Sequence, residues 1–132
     1  DRGRHLLCTA VDDMHGQLPD FALAWVMVKS LERSQAAILS AVKRGAFYSS
    51  EGPEIKHMAL NGRKLVVHTS AASTILVNGQ GYTNALKPGV NITHTEIDLS
   101  DFDSPWFRVI VTARDGLHAW SNPYWFEDIE AQ

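Results

Sequence analysis

The sequence has one cysteine, Cys8, in 132 residues. A lone thiol cannot form an intramolecular disulfide. No disulfide framework holds this chain, and a reducing, cytoplasmic setting is the default expectation. Long apolar runs are missing too. The longest, residues 21–28, is far short of the roughly 20 residues that a membrane-spanning helix needs. No secretory signal pattern is present. Charge of one sign is not in excess: 12 Lys and Arg stand against 15 Asp and Glu, a net charge of -3. Without a basic cluster, the electrostatic footprint of nucleic-acid binding is absent. There is no internal repeat and no low-complexity tract. No initiator methionine opens the chain, which starts Asp1-Arg2-Gly3-Arg4 and so reads as processed or truncated.

What is present is ordinary globular composition, 45% hydrophobic and 20% charged, at a length suited to one compact domain. The amino-terminal third reads as α/β. Residues 5–11 form a short apolar run that suits a buried strand. Cys8 then falls inside that strand as an inert buried thiol. Residues 21–28 read as a second strand, on the strength of Trp25, Val26 and Val28. Ser34 is placed to cap a helix over residues 35–44. In that helix Ala37, Ile38, Ala41 and Val42 share one stripe. Lys43 and Arg44 suit the negative end of its dipole, and Gly45 its C-cap.

From about residue 46 the pattern changes to short β-prone runs. Asn61-Gly62, Asn78-Gly79 and Asp115-Gly116 each predict a tight hairpin. They join residues 55–60 to 63–69, 73–77 to 80–86, and 106–114 to 117–120. Across residues 106–114, Phe107, Val109, Val111 and Ala113 alternate onto one face, with Arg108 and Arg114 on the other. Lys87-Pro88-Gly89 predicts a further turn before a strand over residues 90–99. Residues 101–105 read as a polar loop, and residues 124–126 as a last short strand. The fold class expected is therefore mainly β: an antiparallel β-sandwich-like domain over residues 46–132, preceded by an incomplete α/β remnant over residues 1–45. Two strands and one helix cannot cover their own edges, so this remnant calls for a partner: missing barrel, or another copy in a homo-oligomer.

Asp13 and His15 are the leading candidates for chemistry. They are one residue apart, directly after the first apolar run, where strand ends in α/β folds carry their functional groups. A carboxylate and an imidazole at this spacing can ligate zinc, manganese or iron, and Gly16 permits a tight turn after them. The plainer alternative is that Asp12 and Asp13 cap a turn and His15 lies on the surface.

Three stretches carry a resemblance. They are Asp12-Asp13-Met14-His15-Gly16, then Trp25-Val26-Met27-Val28, then Ile38-Leu39-Ser40-Ala41-Val42-Lys43-Arg44-Gly45-Ala46-Phe47-Tyr48-Ser49-Ser50-Glu51-Gly52-Pro53. Together with Arg108-Val109, Asp115-Gly116 and Ala119-Trp120-Ser121-Asn122-Pro123, they resemble the carboxy-terminal end of PHP (polymerase and histidinol phosphatase) metal-dependent hydrolases, in the branch of the CehA/McbA-type enzymes. The resemblance runs from about residue 10 to 126. It implies a distorted α/β barrel with two or three divalent metals, whose activated water attacks a phosphoester or similar bond. The family's last metal motif, Asp-x-His, falls on Asp13 and His15. Its earlier ligands, a His-x-His pair among them, have no counterpart here. The resemblance therefore implies a carboxy-terminal piece that lacks the amino-terminal barrel and is inactive alone.

The remaining candidates have plainer readings. His57 and His68 flank the first hairpin and can face each other; ordinary strand histidines are the simpler account, as for His94 and His118. Ser49 and Ser50 lack the Gly-x-Ser-x-Gly elbow of a nucleophile. Asn91-Ile92-Thr93 matches a glycosylation sequon. Trp106, Trp120, Tyr124 and Trp125 can make a sugar-binding patch or simply pack. The competing function is thus a non-catalytic interaction or carbohydrate-binding module, in which Asp13 and His15 carry no chemistry.

Overall fold

The computed structural model describes residues 3–16 and 19–130. Strand accounts for 46% and helix for 10% of the described residues, about twice the usual strand content, so the protein is mainly β. The elements run β1 (Trp25–Val28), α1 (Gln35–Lys43), β2 (Phe47–Ser50), β3 (Ile55–Asn61), β4 (Lys64–Asn78), β5 (Asn84–Asp98), β6 (Trp106–Thr112), β7 (His118–Ser121), β8 (Tyr124–Trp125) and α2 (Phe126–Glu130). The strands pair in the order β1-β2-β7-β6-β4-β3, with β5 also on β4 and β8 on β6. Every pairing is antiparallel.

The 15-residue strands β4 and β5 organise this curled sheet. β5 follows β4 along its length. The other edge of β4 is shared: β3 pairs with residues 64–69, and β6 with residues 74–78. Between these halves the ladder is irregular. From His68/His94 to Ala72/Ile92, β4 uses four residues against two of β5. From Ala72/Ile92 to Thr74/Pro88, β5 uses four against two. The two bulges compensate, so the register after the bend matches the register before it. Bulges bend strands and strengthen twist, which lets one strand serve both halves of the curl.

Alternation does the rest. Leu65, Val67, Ile75 and Val77 of β4 are buried, and so are Phe107, Val109 and Val111 of β6. With Ile97, Leu99, Phe102, Ala119 and Phe126 they form one core. Arg63 lies over the Phe126 ring at 4.0 Å, a cation–π contact that ties α2 to the first hairpin.

Helix α1 begins and ends where the residues predict. The Ser34 hydroxyl accepts from the Ala37 N–H at 3.2 Å. At the other end the Gly45 N–H bonds the Val42 carbonyl, and the Ala46 N–H bonds that of Ala41. This is a Schellman closure with Gly45 at φ 75°, a conformation that favours glycine.

Several expectations need correction. Residues 5–11 form no strand and are mostly exposed. Their backbone is tied by side chains instead: the Cys8 N–H donates to Asn122 Oδ1 at 3.0 Å, and Ser49 Oγ donates to the Cys8 carbonyl at 3.0 Å. Cys8 is consequently exposed, not buried. The second strand is shorter than residues 21–28, since residues 21–24 bend. It pairs antiparallel with β2, so its edges are not parallel-sheet edges. The first hairpin turns on Gly62-Arg63, one residue later than expected, because Asn61 pairs with Lys64. The second has a five-residue loop, residues 79–83, between paired Asn78 and Asn84. The third turns through residues 113–117, closed by the Ala113 N–H on the Leu117 carbonyl. Lys87-Pro88-Gly89 makes no turn but lies inside β5. There Pro88 sits opposite Thr74, and an edge strand tolerates its missing N–H. Phe126 opens α2 instead of ending a strand.

Candidate functional site

The described residues between Asp12 and Ala24 are mostly exposed loop, held at its base by one carboxylate. Asp12 accepts three backbone N–H groups, from Ala22 and Ala24 at 2.6 Å and from Leu23 at 2.7 Å. The Ala24 bond is the largest cause holding the Asp12 carboxyl below its ordinary pKa of 3.8; desolvation, the next largest, opposes it, and the Ala22 and Leu23 bonds add to it. Charge-assisted bonds to the ionised form have this effect. Asp12 therefore closes this loop from ten to twelve residues away, and not as the local turn cap, shared with Asp13, that the plainer sequence reading gave it.

Asp13 and His15 stand on the exposed part of this loop. Asp13 has φ 53°, and Gly16, just after the motif, has φ 74°. The His15 N–H donates to Asp20 Oδ2 at 2.7 Å, and His15 Nδ1 lies 4.0 Å from the same oxygen. The other Asp20 oxygen is buried and has no hydrogen-bond partner. This orphaned oxygen is the one feature at the motif that suits a cation, since a buried unpaired acceptor is costly. Yet among the described residues no three His, Cys, Asp or Glu are gathered to hold a metal ion. Metal centres of the zinc type need three or four protein ligands. The donors on this loop do not fit a complete metal centre.

A second group was only half legible in the sequence. His57, His68 and His94 lie side by side across β3, β4 and β5. His57 is the register partner of His68, and His68 of His94. The His57 and His68 rings are edge to face at 5.8 Å. The His68 and His94 rings are 4.5 Å apart, with His68 Nε2 and His94 Nδ1 at 3.2 Å. All three side chains are exposed. The hairpin at Gly62 made the first pair foreseeable. The second required the register of two long strands joined by a five-residue loop, which no local pattern supplies.

The other candidates resolve into structure. Ser50 Oγ donates to the Pro53 carbonyl at 2.7 Å and accepts from the Gly52 N–H at 2.8 Å, both within one turn whose Ser50 and Pro53 ends are buried. Its hydroxyl is occupied, and Ser49 is bonded to Cys8. His118 contacts Thr112 Oγ1 at 3.0 Å and packs on Trp120. Tyr124 stacks on Phe107, and His5 stacks on Trp125 at 4.0 Å. These aromatics are partners within the fold. Asn91 is exposed at the bulge of β5, with φ 54°.

A groove of about 600 Å³ opens between the two ends of the sheet. Met27 of β1 and Lys56, His57 and Met58 of β3 form its walls, with Tyr48 and Tyr124 beside them. Burial pushes both phenols above their ordinary pKa of 10.0; at Tyr48 an Ile55 N–H bond opposes this and the Glu54 charge adds to it.

No helix among the described residues is long and apolar enough to cross a membrane. No family model, curated protein or solved structure matches the chain.

Proposed function

We propose that this chain is the carboxy-terminal part of a metal-dependent, phosphoesterase-like hydrolase of the PHP type. On this reading residues 1–45 close its barrel, and residues 46–132 form a β domain appended to it. Asp13 and His15 are its contribution to a divalent metal centre (zinc, manganese or iron), whose other ligands come from the barrel. The chain alone is inactive.

One observation carries the reading beyond the resemblance. Fifteen large hydrophobic side chains are exposed among the described residues, and eleven of them lie before residue 40. Val11, two residues before the Asp-x-His motif, and Met14, its middle residue, are 73% and 59% exposed, and Phe21 follows at 75%. Exposed apolar surface on this scale is a contact surface that lacks its cover. Its concentration around the motif is what a barrel remnant would present.

The test is metal content in the polypeptide that the gene encodes, read together with its upstream sequence. The reading requires a His-x-His motif upstream and a bound transition metal that is lost in both Asp13→Ala and His15→Ala. An unrelated upstream sequence, or metal that neither substitution disturbs, would favour the non-catalytic interaction or carbohydrate-binding module.

A further inference from the structure

The row of histidines on β3, β4 and β5 lies outside the loop that carries Asp13 and His15, and nothing above uses it. We propose that His57, His68 and His94 form a surface site for a divalent transition metal with nitrogen preference, of the zinc, nickel or copper(II) class.

His68 Nε2 and His94 Nδ1 lie 3.2 Å apart. Two ring nitrogens at this distance share one proton: one carries it, and the other offers a lone pair. A metal ion can take that place once the donor ring, still neutral, moves its proton to its other ring nitrogen, so that both facing nitrogens offer lone pairs. With metal–nitrogen bonds of ~2.0–2.1 Å, two nitrogens of a tetrahedral centre stand roughly 3.3–3.4 Å apart. The pair is therefore already spaced close to a ligand–ligand edge.

His57 supplies the third imidazole. It is directly opposite His68 on the neighbouring strand, and such pairs hold their Cβ atoms within ~4.5–5.5 Å. The three rings are not preassembled as a coordination sphere. His57 faces His68 edge-on at 5.8 Å and must turn about its side-chain torsions to join. All three residues are exposed, so the ion keeps water at its open positions. Imidazole suits zinc, copper and nickel, whereas magnesium and calcium prefer oxygen.

The three backbones are fixed by the sheet, so the site is positioned before the metal arrives. It is independent of the barrel reading: if Asp13 and His15 bind nothing, this row still stands.

The experiment is a titration of zinc and nickel into the metal-free 132-residue chain. Calorimetry reads the affinity, and imidazole ¹H–¹⁵N spectra report which rings shift. One ion per chain is expected, with the resonances of His57, His68 and His94 moving together. His68→Gln and His94→Gln should each weaken binding by at least about tenfold, and His57→Gln should weaken it measurably. His5→Gln, at an exposed histidine outside the row, should leave it unchanged. Absence of binding, or binding that survives His68→Gln and His94→Gln together, would overturn the site. Because the three residues are exposed, circular dichroism of each variant should match the parent and separate lost ligands from lost fold.

Discussion

Asp12 shows how one carboxylate can fix a loop that contains a candidate site but take no part in its chemistry. Its three accepted N–H groups belong to residues ten to twelve positions away. Its folded pKa lies below the ordinary value, so its contribution is present above about pH 4 and is lost as pH falls through the depressed value. The protection of the Ala22, Leu23 and Ala24 amides, measured against their intrinsic exchange rates, should therefore be high at neutral pH and fall in acid. Asp12→Ala should speed that exchange at neutral pH by at least about tenfold, while core amides in β4 and β6 keep their protection. Equal exchange in parent and variant would show that the carboxylate does not hold the loop. Gly79 illustrates a second residue-scale lesson. Its sequence neighbourhood suggested positive φ, but the structure uses it for room: a Cβ there would lie 2.7 Å from Phe102 and Ser104.

At the scale of elements, local rules succeeded where one element sufficed. Helix α1 has its Ser34 cap and its Gly45 closure because both ends are decided by neighbours in the chain. Gly45→Ala should cost about 1–2 kcal/mol, mostly from placing a Cβ at positive φ. The new methyl would also meet Leu7 Cδ2 at 2.8 Å. That is the tip of an exposed, flexible side chain, so this part of the cost is small. Urea unfolding checks the figure, and Gly45→Asn, which tolerates the left-handed region, should lose less. The hairpins show the limit of such rules. All three occur, but each turn is shifted or lengthened, because cross-strand pairing of Asn61 with Lys64 and of Asn78 with Asn84 sets the register. The strand expected at residues 5–11 failed for a related reason. An apolar run is a strand only if a neighbour accepts its hydrogen bonds, and here Asn122 and Ser49 take that place.

The whole molecule divides into a closed half and an open one. From β2 onward most large side chains are buried or packed, whereas residues 6–39 carry eleven exposed apolar groups. β1 lies on the near side of the expected boundary at residue 45, yet it is the first strand of the same sheet and leaves one edge unpaired. Met27 on that strand is 43% exposed. Open edges with apolar side chains promote pairing between chains. Light scattering of the isolated chain should show concentration-dependent association, and Met27→Lys should weaken it by about tenfold. A chain that stays monomeric at every concentration would count against this surface being sticky.

The sequence by itself determined the mainly β class, the helix with both its ends and the alternating core face of β6. All of these depend on spacings of a few residues, where the backbone period or a cap decides the outcome. Only the tertiary structure decided the rest. It bent β4 and β5 with compensating bulges, kept Pro88 inside an edge strand, and left residues 5–11 unpaired. It also brought His94 beside His68 across 26 positions of chain. The reason is the same in each case: strand register is settled by hydrogen bonds and burial between segments distant in sequence, and no local pattern contains both partners.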